Sequence, residues 1–376
     1  MGAFKLILGT PVNAVPQPWR LIKFDGVMVN AYELLSTRRR SELRGRGLRR
    51  LLGIDDDTEL WIDSGGYQFL KNRLKPNPEK LIRLYREIDA DYYVSLDYPP
   101  GPRDPPGERA TKIAKTVATF MEMRSSLRGI AREGRLVPVF HITTGDGLEL
   151  QLREYEPHAV AAAIGGLIPY VMQRAGKGSR LKAVLFMLLA RRLWRGRLHA
   201  LGLASAAMLP LLRAIGVDSG DTQTWRHKAA FGKVVIPGIG ERHVSGRKVR
   251  FGPAVLREED EVKLFKDYLE RAEKLLGINT AMIAESFEAR ALFNAWMIKH
   301  VAENGYGYRG SSKAFQNLYA TIEALKRQPA EVIEAMLARL MNGEAAAPAE
   351  EGRVTRTTVS ATPGAVGHVA VGVSET

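Results

Sequence analysis

The sequence predicts an α/β fold, a (β/α)8 TIM barrel with a C-terminal helical extension. Eight short apolar runs recur along the 376-residue chain, and amphipathic segments with a helical period lie between them. Such alternation is typical of a parallel sheet, and eight repeats are typical of a closed barrel. A doubly wound sheet is the alternative, but no Gly-x-Gly-x-x-Gly turn follows the first run.

The bounds of the predicted elements follow from these patterns. The predicted strands are residues 26–30, 60–63, 91–97, 136–141, 159–165, 198–202, 214–218 and 233–237. The helical segments are residues 33–52, 78–88, 107–133, 148–155, 171–194 and 205–213, followed by 258–276, 280–303, 312–326 and 329–341. We therefore predict a barrel with a catalytic mouth over residues 1–256 and C-terminal helices packed on it over 257–342. A disordered tail is predicted over 343–376, where no period is present.

Composition limits the classes of function. The net charge of +14 favours a polyanionic partner, with nucleic acid ahead of a membrane surface. The chain has no cysteine, which excludes disulfides, thiolate metal ligands and cysteine nucleophiles. No apolar run approaches the roughly 20 residues that span a bilayer, and the N-terminus lacks a signal-peptide pattern. We expect a cytoplasmic protein with no membrane partner.

Polar residues and glycines end the predicted strands, where the active site of such a barrel lies. They are Asp63, Asp97, His141, Gly165, Gly166, Gly202 and Asp218, with Asp221 three residues further on. A single aspartate in such a position can simply cap the next helix, but several together favour a shared site. Carboxylates without metal ligands indicate glycosyl chemistry, in which one attacks the anomeric carbon and another moves a proton.

One motif resembles that of a known family. Residues 63–68, Asp-Ser-Gly-Gly-Tyr-Gln, resemble the Asp-Ser-Gly-Gly-[Phe/Tyr]-Gln motif of the tRNA-guanine transglycosylases. The order of later segments extends the resemblance over roughly residues 4–305. Asp97 matches the second base-binding aspartate, residues 164–167 the Gly-Gly-Leu segment, residues 201–202 the hydrophobic-Gly turn, and residues 216–221 the nucleophile segment.

The resemblance implies a pentosyltransferase that exchanges guanine in a nucleic acid for a 7-deazaguanine base. Asp221 would attack C1′ and form a covalent aspartyl-glycosyl intermediate. Asp63 would protonate the departing base and deprotonate the incoming one. The implied substrate-binding residues are Ser64, Gly65, Gly66, Tyr67, Gln68, Asp97, His141, Gly165, Gly166, Leu201 and Gly202.

Individual roles in base binding are also implied. Asp97 would accept hydrogen bonds from guanine N1–H and the exocyclic amine, and the backbone of the Gly165-Gly166 pair would contact the carbonyl edge. Tyr67 and Leu201 would sandwich the base. Basic residues after the nucleophile strand would hold backbone phosphates. They are Arg226, His227 and Lys228, followed by Arg242, Arg247, Lys248 and Arg250.

Three departures from the family pattern bear on cofactor and substrate. The family's zinc site needs three cysteines and a histidine, so no metal cofactor is expected in this chain. Without the cysteines, we interpret His300 as a structural residue. His141 stands in place of a glutamine that reads the incoming base, so the preferred base can differ. Residues 222–226, Thr-Gln-Thr-Trp-Arg, resemble the divergent branch of the family that modifies DNA.

Several alternatives stay open. The expected partners are a nucleic acid (tRNA first, DNA close behind) and a free deazaguanine base, and a homodimer is open. A DNA-guanine transglycosylase of a DNA-modification system is one alternative. A non-catalytic nucleic-acid-binding partner subunit is another, although such a subunit is expected to have lost Asp63 or Asp221. An N-glycosidase would share the first half of the reaction and then use water.

Overall fold

The computed structural model describes residues 3–36, 47–72, 74–129, 135–172, 176, 178–245, 256, 259–308 and 313–344. The predicted tail lies outside these ranges from residue 345 onward. Three of the basic residues predicted to hold phosphates, Arg247, Lys248 and Arg250, also lie outside them. The predicted division into domains stays a prediction.

Nine parallel strands of the described chain form one nearly closed barrel. They are β1 Lys5–Gly9, β2 Gly26–Asn30, β3 Glu59–Asp63, β4 Tyr92–Val94, β5 Leu136–Val137, β6 Val139–Phe140, β7 Ala161–Ile164, β8 Arg197–Ala200 and β9 Ser219–Thr222. Their order in the sheet is β5-β4-β3-β2-β1-β9-β8-β7-β6. Only Pro138, which has no N–H for the ladder, separates β5 from β6, so the two ends of the sheet meet and the (β/α)8 fold is confirmed.

Helices surround the barrel and continue after it. The barrel helices are α1 Ala31–Ser36, α2 Leu48–Leu52, α3 Gly66–Lys71, α4 Pro78–Glu87, α5 Pro106–Ser126, α6 Asp146–Tyr155, α7 Ile168–Val171, α8 Ser179–Leu193, α9 Leu209–Ile215 and α10 Thr224–Ala230. The helical C-terminal part comprises α11 Glu259–Leu276, α12 Thr280–Glu285, α13 Phe287–Asn304, α14 Lys313–Leu325 and α15 Ala330–Met341. None of the helices in the described ranges is long and apolar enough to cross a membrane.

Two strand predictions are wrong, and one barrel strand was missed. The first barrel strand, β1, was not predicted, because one short apolar run at the start of the chain carries little period information. Residues 214–218 close helix α9 and lead into β9, which begins only at Ser219. Residues 233–237 contain β10 (Lys233–Ile236), which pairs antiparallel with β11 (Gly240–His243) outside the barrel. An apolar run is buried equally well in a barrel strand and in a packed hairpin, so its composition cannot distinguish these two structures.

Side chains alternate between the inside and the outside of the barrel along each strand. On β3, Trp61 belongs to the cluster inside the barrel with Ile7, Met28 and Val94, whereas Leu60 and Ile62 pack outward against the helices. Residues two positions from Trp61 therefore point inward as well. Glu59 lies below it and Asp63 above it, at the carboxyl end of the strand.

The lower end of the barrel is closed by ionic and aromatic contacts. Arg197 Nη1 and Nη2 donate to Glu59 Oε1 and Oε2 at 3.0 and 2.9 Å, and Lys5 Nζ donates to Oε1 at 2.5 Å. Trp61 Nε1 donates to Glu59 Oε2 at 3.0 Å. Burial raises the pKa of Glu59, but the hydrogen bonds from Arg197 and Lys5 outweigh it and hold the pKa below its ordinary value. The carboxylate of Glu59 is thus held as an ion at the end of the barrel opposite to Asp63.

Candidate active site

Asp63 ends β3 at the open mouth. The parallel register pairs it with Asn30 of β2, and Asn30 Nδ2 donates to Asp63 Oδ2 at 2.6 Å. The amide oxygen of Asn30 accepts from the backbone N–H of Tyr32 at 2.8 Å, which fixes which end of the amide faces the carboxyl group. The orientation of Asp63 is therefore set by a neighbouring strand.

The carboxyl groups of Asp63, Asp97 and Asp221 lie near one another at this mouth, and this proximity affects the pKa of Asp63. Burial, then the charge of Asp97, then that of Asp221 raise its pKa to about 7, against partial opposition from the backbone N–H groups of Gly65 and Ser64. Near neutral pH, Asp63 is consequently divided between its acid and base forms. A carboxyl group in that condition is suited to donate a proton in one step and accept one in the next.

Asp97 lies three residues beyond β4 and is 8% exposed. Ser64 Oγ donates to Asp97 Oδ1 at 3.4 Å. The backbone of Gly66 passes so close that a Cβ there would lie 2.1 Å from Asp97 Oδ1 and 2.7 Å from its carbonyl oxygen. Only glycine allows this approach, which accounts for the second glycine in the motif of residues 63–68.

From the sequence, we expect Asp97 to accept hydrogen bonds from guanine. On that expectation, Gly66→Ala should displace Asp97 and weaken binding of the base about tenfold or more, since a hydrogen bond to a charged group contributes about 1.5–3 kcal/mol. The affinity for free guanine, measured by calorimetry, checks this. Gly107→Ala is the matched control, because a Cβ at that position meets nothing within 4 Å. Equal affinity in the two variants would contradict the role given to this approach.

His141 is fully buried between Asp97 and the glycines that follow β7. Gln151 accepts from the backbone N–H of His141 at 2.7 Å and donates to its carbonyl at 3.3 Å. The imidazole Nε2 lies 3.2 Å from Asp97 Oδ2, but the two are not aligned for a hydrogen bond, and neither ring nitrogen has a partner. Buried polar atoms without partners are rare in folded proteins, so the ring is suited to receive a polar ligand.

The glycines after β7 lie close beside these side chains. A Cβ at Gly165 would lie 3.5 Å from both Asp97 Oδ2 and His141 Cε1, and one at Gly166 would lie 3.3 Å from His141 Nδ1. Gly166 also has a φ of +72°, which favours glycine. The structure therefore brings Asp97, His141 and the Gly165-Gly166 backbone to one place.

Asp221 lies on β9 itself and is 7% exposed. Its Oδ1 accepts from the backbone N–H of Gly202 at 2.6 Å and lies 3.3 Å from Nε2 of His199. His199 was missed by the sequence analysis, as was Asn30. Both lie two residues from another inward-facing residue of their strands, but their partners become evident only from the pairing of the strands.

The remaining residues predicted to bind the base lie around the mouth. Tyr67 is 47% exposed, and Leu201 is partly buried against the cluster inside the barrel. Gln68 holds a buried Oε1 without a partner. A Cβ at Gly202 would lie 2.9 Å from Ile168 Cδ1, so α7 borders the mouth on that side.

Two of the described basic residues predicted to hold phosphates are engaged within the protein. Arg242 donates from its guanidinium to both carboxylate oxygens of Glu261. Lys228 Nζ lies 2.5 Å from Glu241 Oε1. These contacts satisfy their charges, so neither is a free phosphate ligand in this state.

Arg226 and His227 are the other two described residues of this basic group. The Arg226 guanidinium lies over the rings of Trp225 and Phe287 at 5.1 and 5.2 Å and donates to the carbonyl of Val15 at 2.7 Å. Its burial lowers the pKa of Arg226, although the group stays charged. The side chain of His227 is exposed.

Asp218 lies at the opposite end of the barrel, so the sequence interpretation that placed it at the mouth is wrong. Its Oδ2 accepts from Arg191 Nη1 at 2.7 Å and from the backbone N–H of Leu198 at 2.8 Å. The strand that carries Asp221 begins one residue after Asp218, which reverses the end at which Asp218 lies.

The residues around His300 do not fit the family's zinc site. His300 Nδ1 lies 2.9 Å from Asn304 Nδ2, and Nε2 contacts the hydroxyl of Tyr306, so both ring nitrogens have partners. Within the described ranges, no three histidine, aspartate or glutamate side chains are grouped as metal ligands. With no cysteine in the sequence, the residues present do not form a zinc site of the family's type.

Comparison with known proteins gives two informative similarities, while no protein-family model matches the chain. Over 247 residues it is 24% identical to Uncharacterized protein 306 of Sulfolobus islandicus rod-shaped virus 1, covering 64% of this chain and 71% of the viral protein. Over 220 residues it is 26% identical to the tRNA-guanine(15) transglycosylase of Nanoarchaeum equitans, covering 57% of this chain but only 50% of that enzyme. The chain is thus a parallel barrel protein distantly similar to a tRNA-guanine transglycosylase.

Proposed function

We propose that the protein is a guanine transglycosylase that exchanges guanine in a nucleic acid for a 7-deazaguanine base. The observation that carries this proposal is the presence of three carboxyl groups at one mouth, where burial and then the charges of Asp97 and Asp221 raise the pKa of Asp63 to about 7. This arrangement supplies a nucleophile, a proton carrier and a base-binding acceptor. The distant similarity to a tRNA-guanine transglycosylase supports the same reaction.

The first half of the proposed reaction expels guanine. A carboxylate oxygen of Asp221 attacks C1′, the bond between C1′ and N9 breaks, and Asp63 gives its proton to the departing base. The product is an ester between Asp221 and the nucleic acid, with an ionised Asp63 beside it.

The second half inserts the new base. The incoming deazaguanine gives its N–H proton to Asp63 and attacks C1′, while the bond from C1′ to Asp221 breaks and the electron pair returns to the carboxylate. Asp63 ends protonated and Asp221 ionised, as at the start. The residues thus close a cycle without any further co-reactant.

Base selectivity in the proposal comes from Asp97 and its neighbours. A carboxylate only accepts hydrogen bonds, so it suits the two donors of guanine, N1–H and the exocyclic amine. Adenine has no matching pair of donors. The backbone of Gly165 and Gly166 and the ring of His141 lie next to Asp97 and would meet the other edge of the base. Exposed Tyr67 would stack on it.

The nucleic acid has to present an unstacked nucleotide, because C1′ is inaccessible within a helix. Similarity to a tRNA enzyme favours tRNA. A DNA substrate is the second candidate, since similarity to a viral protein is compatible with a DNA-modifying role and residues 222–226 resemble the DNA-acting branch. The net charge of +14 suits either polyanion.

Exchange of radiolabelled guanine into tRNA and into duplex DNA, run side by side, tests the proposal. Incorporation into one of them is expected. Release of guanine without incorporation would show an N-glycosidase instead. Binding without release or incorporation would show a non-catalytic nucleic-acid-binding subunit. Metal analysis of the same purified sample is expected to find no stoichiometric zinc.

His141→Ala is expected to raise KM for the free base about fivefold, because one hydrogen bond contributes about 1 kcal/mol. Steady-state kinetics with varied base concentration checks this. His158→Ala is a matched control, because His158 lies three residues before β7 and therefore at the opposite end of the barrel. An unchanged KM in His141→Ala would remove His141 from the base-binding site.

A further inference from the structure

Ser219, His199 and Asp221, the proposed nucleophile, form a chain of hydrogen-bonded buried side chains. The parallel register pairs His199 of β8 with Ser219 of β9, and Asp221 follows Ser219 by two residues on the same inward face. His199 Nδ1 lies 2.9 Å from Ser219 Oγ, and Nε2 lies 3.3 Å from Asp221 Oδ1. His199 and Ser219 are fully buried, and the partners of the His199 ring nitrogens are Ser219 and Asp221.

The plane of the His199 ring is fixed by stacking. Trp61 stacks on the imidazole with a centroid distance of 4.5 Å and an interplanar angle of 24°. Tyr92 stacks on the other side of Trp61 at 4.2 Å and 22°. The salt-bridged Arg197 lies over both Trp61 and Tyr92. The imidazole is therefore held by a rigid column that rises from the closed end of the barrel.

Hydrogen-bond chemistry then determines the tautomer. An ionised carboxylate only accepts hydrogen bonds, so His199 has to donate from Nε2 to Asp221 Oδ1. In the neutral ring Nδ1 is then an acceptor, and the hydroxyl of Ser219 is the donor that satisfies it. Ser219 thus selects the tautomer that serves Asp221.

We propose that His199, oriented by Ser219, is a positioning residue for Asp221 that fixes Oδ2 as the attacking oxygen. The inference rests on the proposed function. Oδ1 already accepts from Gly202 N–H at 2.6 Å and from His199, so these two donors occupy it. When Oδ2 bonds to C1′, Oδ1 becomes the ester carbonyl. When the incoming base displaces Asp221, the electron pair of the C1′–Oδ2 bond returns to the carboxylate, and both donors stabilise the share of the charge that Oδ1 regains.

This assignment predicts unequal effects on the two halves of the reaction. Loss of the His199 hydrogen bond destabilises the carboxylate more than the ester, so displacement by the incoming base slows more than formation of the ester. His199→Ala should lower kcat about tenfold, as loss of a hydrogen bond to a charged group does. The fraction of enzyme trapped as the covalent complex during turnover should rise, while kcat/KM for the nucleic acid, which reports ester formation, should change little.

His199→Gln is the conservative variant, since its side-chain amide can donate from a similar distance, and it should recover most of the lost kcat. Retention of wild-type kcat by His199→Ala would overturn the inference. So would a parallel fall of ester formation and displacement that Gln does not relieve, which is the result of a merely structural role.

The tautomer can be read in the unmodified protein, which removes dependence on the folding of a variant. Long-range proton–nitrogen NMR on the full chain with isotope-labelled histidine should show His199 protonated at Nε2 and not at Nδ1. Protonation at Nδ1 alone would overturn the inference. If the wild-type protein forms no covalent complex with any nucleic acid, the proposed function fails, whereas the NMR result tests the hydrogen-bond chain separately.

Discussion

Asp221→Asn is expected to abolish covalent trapping of nucleic acid and to lower base exchange by at least about a thousandfold, as removal of an enzymatic nucleophile commonly does. The neutral amide is a poor nucleophile towards C1′. Its carbonyl oxygen can still accept the hydrogen bonds from Gly202 and His199, so the surrounding geometry should persist. A denaturing gel with labelled tRNA or DNA measures the trapped complex directly.

The matched control is Asp57→Asn. Asp57 lies two residues before β3, at the opposite end of the barrel, and its side chain is 81% exposed. This variant should trap nucleic acid like the wild type. Trapping by Asp221→Asn at the wild-type level would contradict the assignment of the nucleophile, whatever the exchange rate.

Asp63→Asn is expected to lower exchange about a hundredfold to ten-thousandfold, the range contributed by general acid–base catalysis. The same variant should gain stability. In the folded wild type, burial and then the charges of Asp97 and Asp221 raise the pKa of Asp63 to about 7, well above the value of about 3.9 in an unfolded chain. A variant that loses activity while gaining stability distinguishes a functional carboxyl group from a structural one.

The sign of the pH effect follows from this pKa. Between about pH 4 and 7 the folded state holds a proton that the unfolded state has lost, so the wild-type free energy of unfolding falls as pH rises through that window and levels off above it. Asp63→Asn does not titrate and so avoids this fall in the free energy of unfolding. Above pH 7 the variant should be more stable than the wild type by at most about 4 kcal/mol. Denaturant unfolding at pH 5 and pH 8 checks the difference.

The rate constant for ester formation should decrease on the alkaline side of its pH profile. Asp63 has to be protonated to expel guanine, so the rate constant for forming the covalent complex should be high below pH 7 and fall about tenfold per unit above it. Single-turnover measurements across pH test this. A rate constant that stays flat through pH 7 would contradict the proton-donating role of Asp63.

Local spacing in the sequence predicted the parts of the site that depend on strand ends. Asp63 and Asp97 follow short apolar runs, and the structure brings them to one mouth with Gly165 and Gly166. The error at Asp218 has the same origin, because a shift of a few residues in the start of β9 moves an aspartate from the mouth to the opposite end. Boundaries of short strands depend on pairing, which a single segment does not encode.

Residues that act through neighbouring strands could not be predicted in this way. Asn30 binds Asp63 because β2 and β3 pair in a particular register, and His199 binds Ser219 and Asp221 because β8 and β9 do. The ion-pair partners of the basic residues could not be predicted from the sequence either. Arg242 is paired with Glu261, a partner that the cluster of positive charges in the sequence did not reveal.

The central claim is that the nucleic acid becomes bonded through C1′ to Asp221. Trapping the complex during base exchange, digesting it and mapping the modified peptide by mass spectrometry test that claim most directly. We expect the glycosyl group on the carboxylate of Asp221, and its disappearance when excess deazaguanine is added before quenching. A glycosyl group on another residue, or base exchange that proceeds with no covalent complex at any time point, would contradict the account.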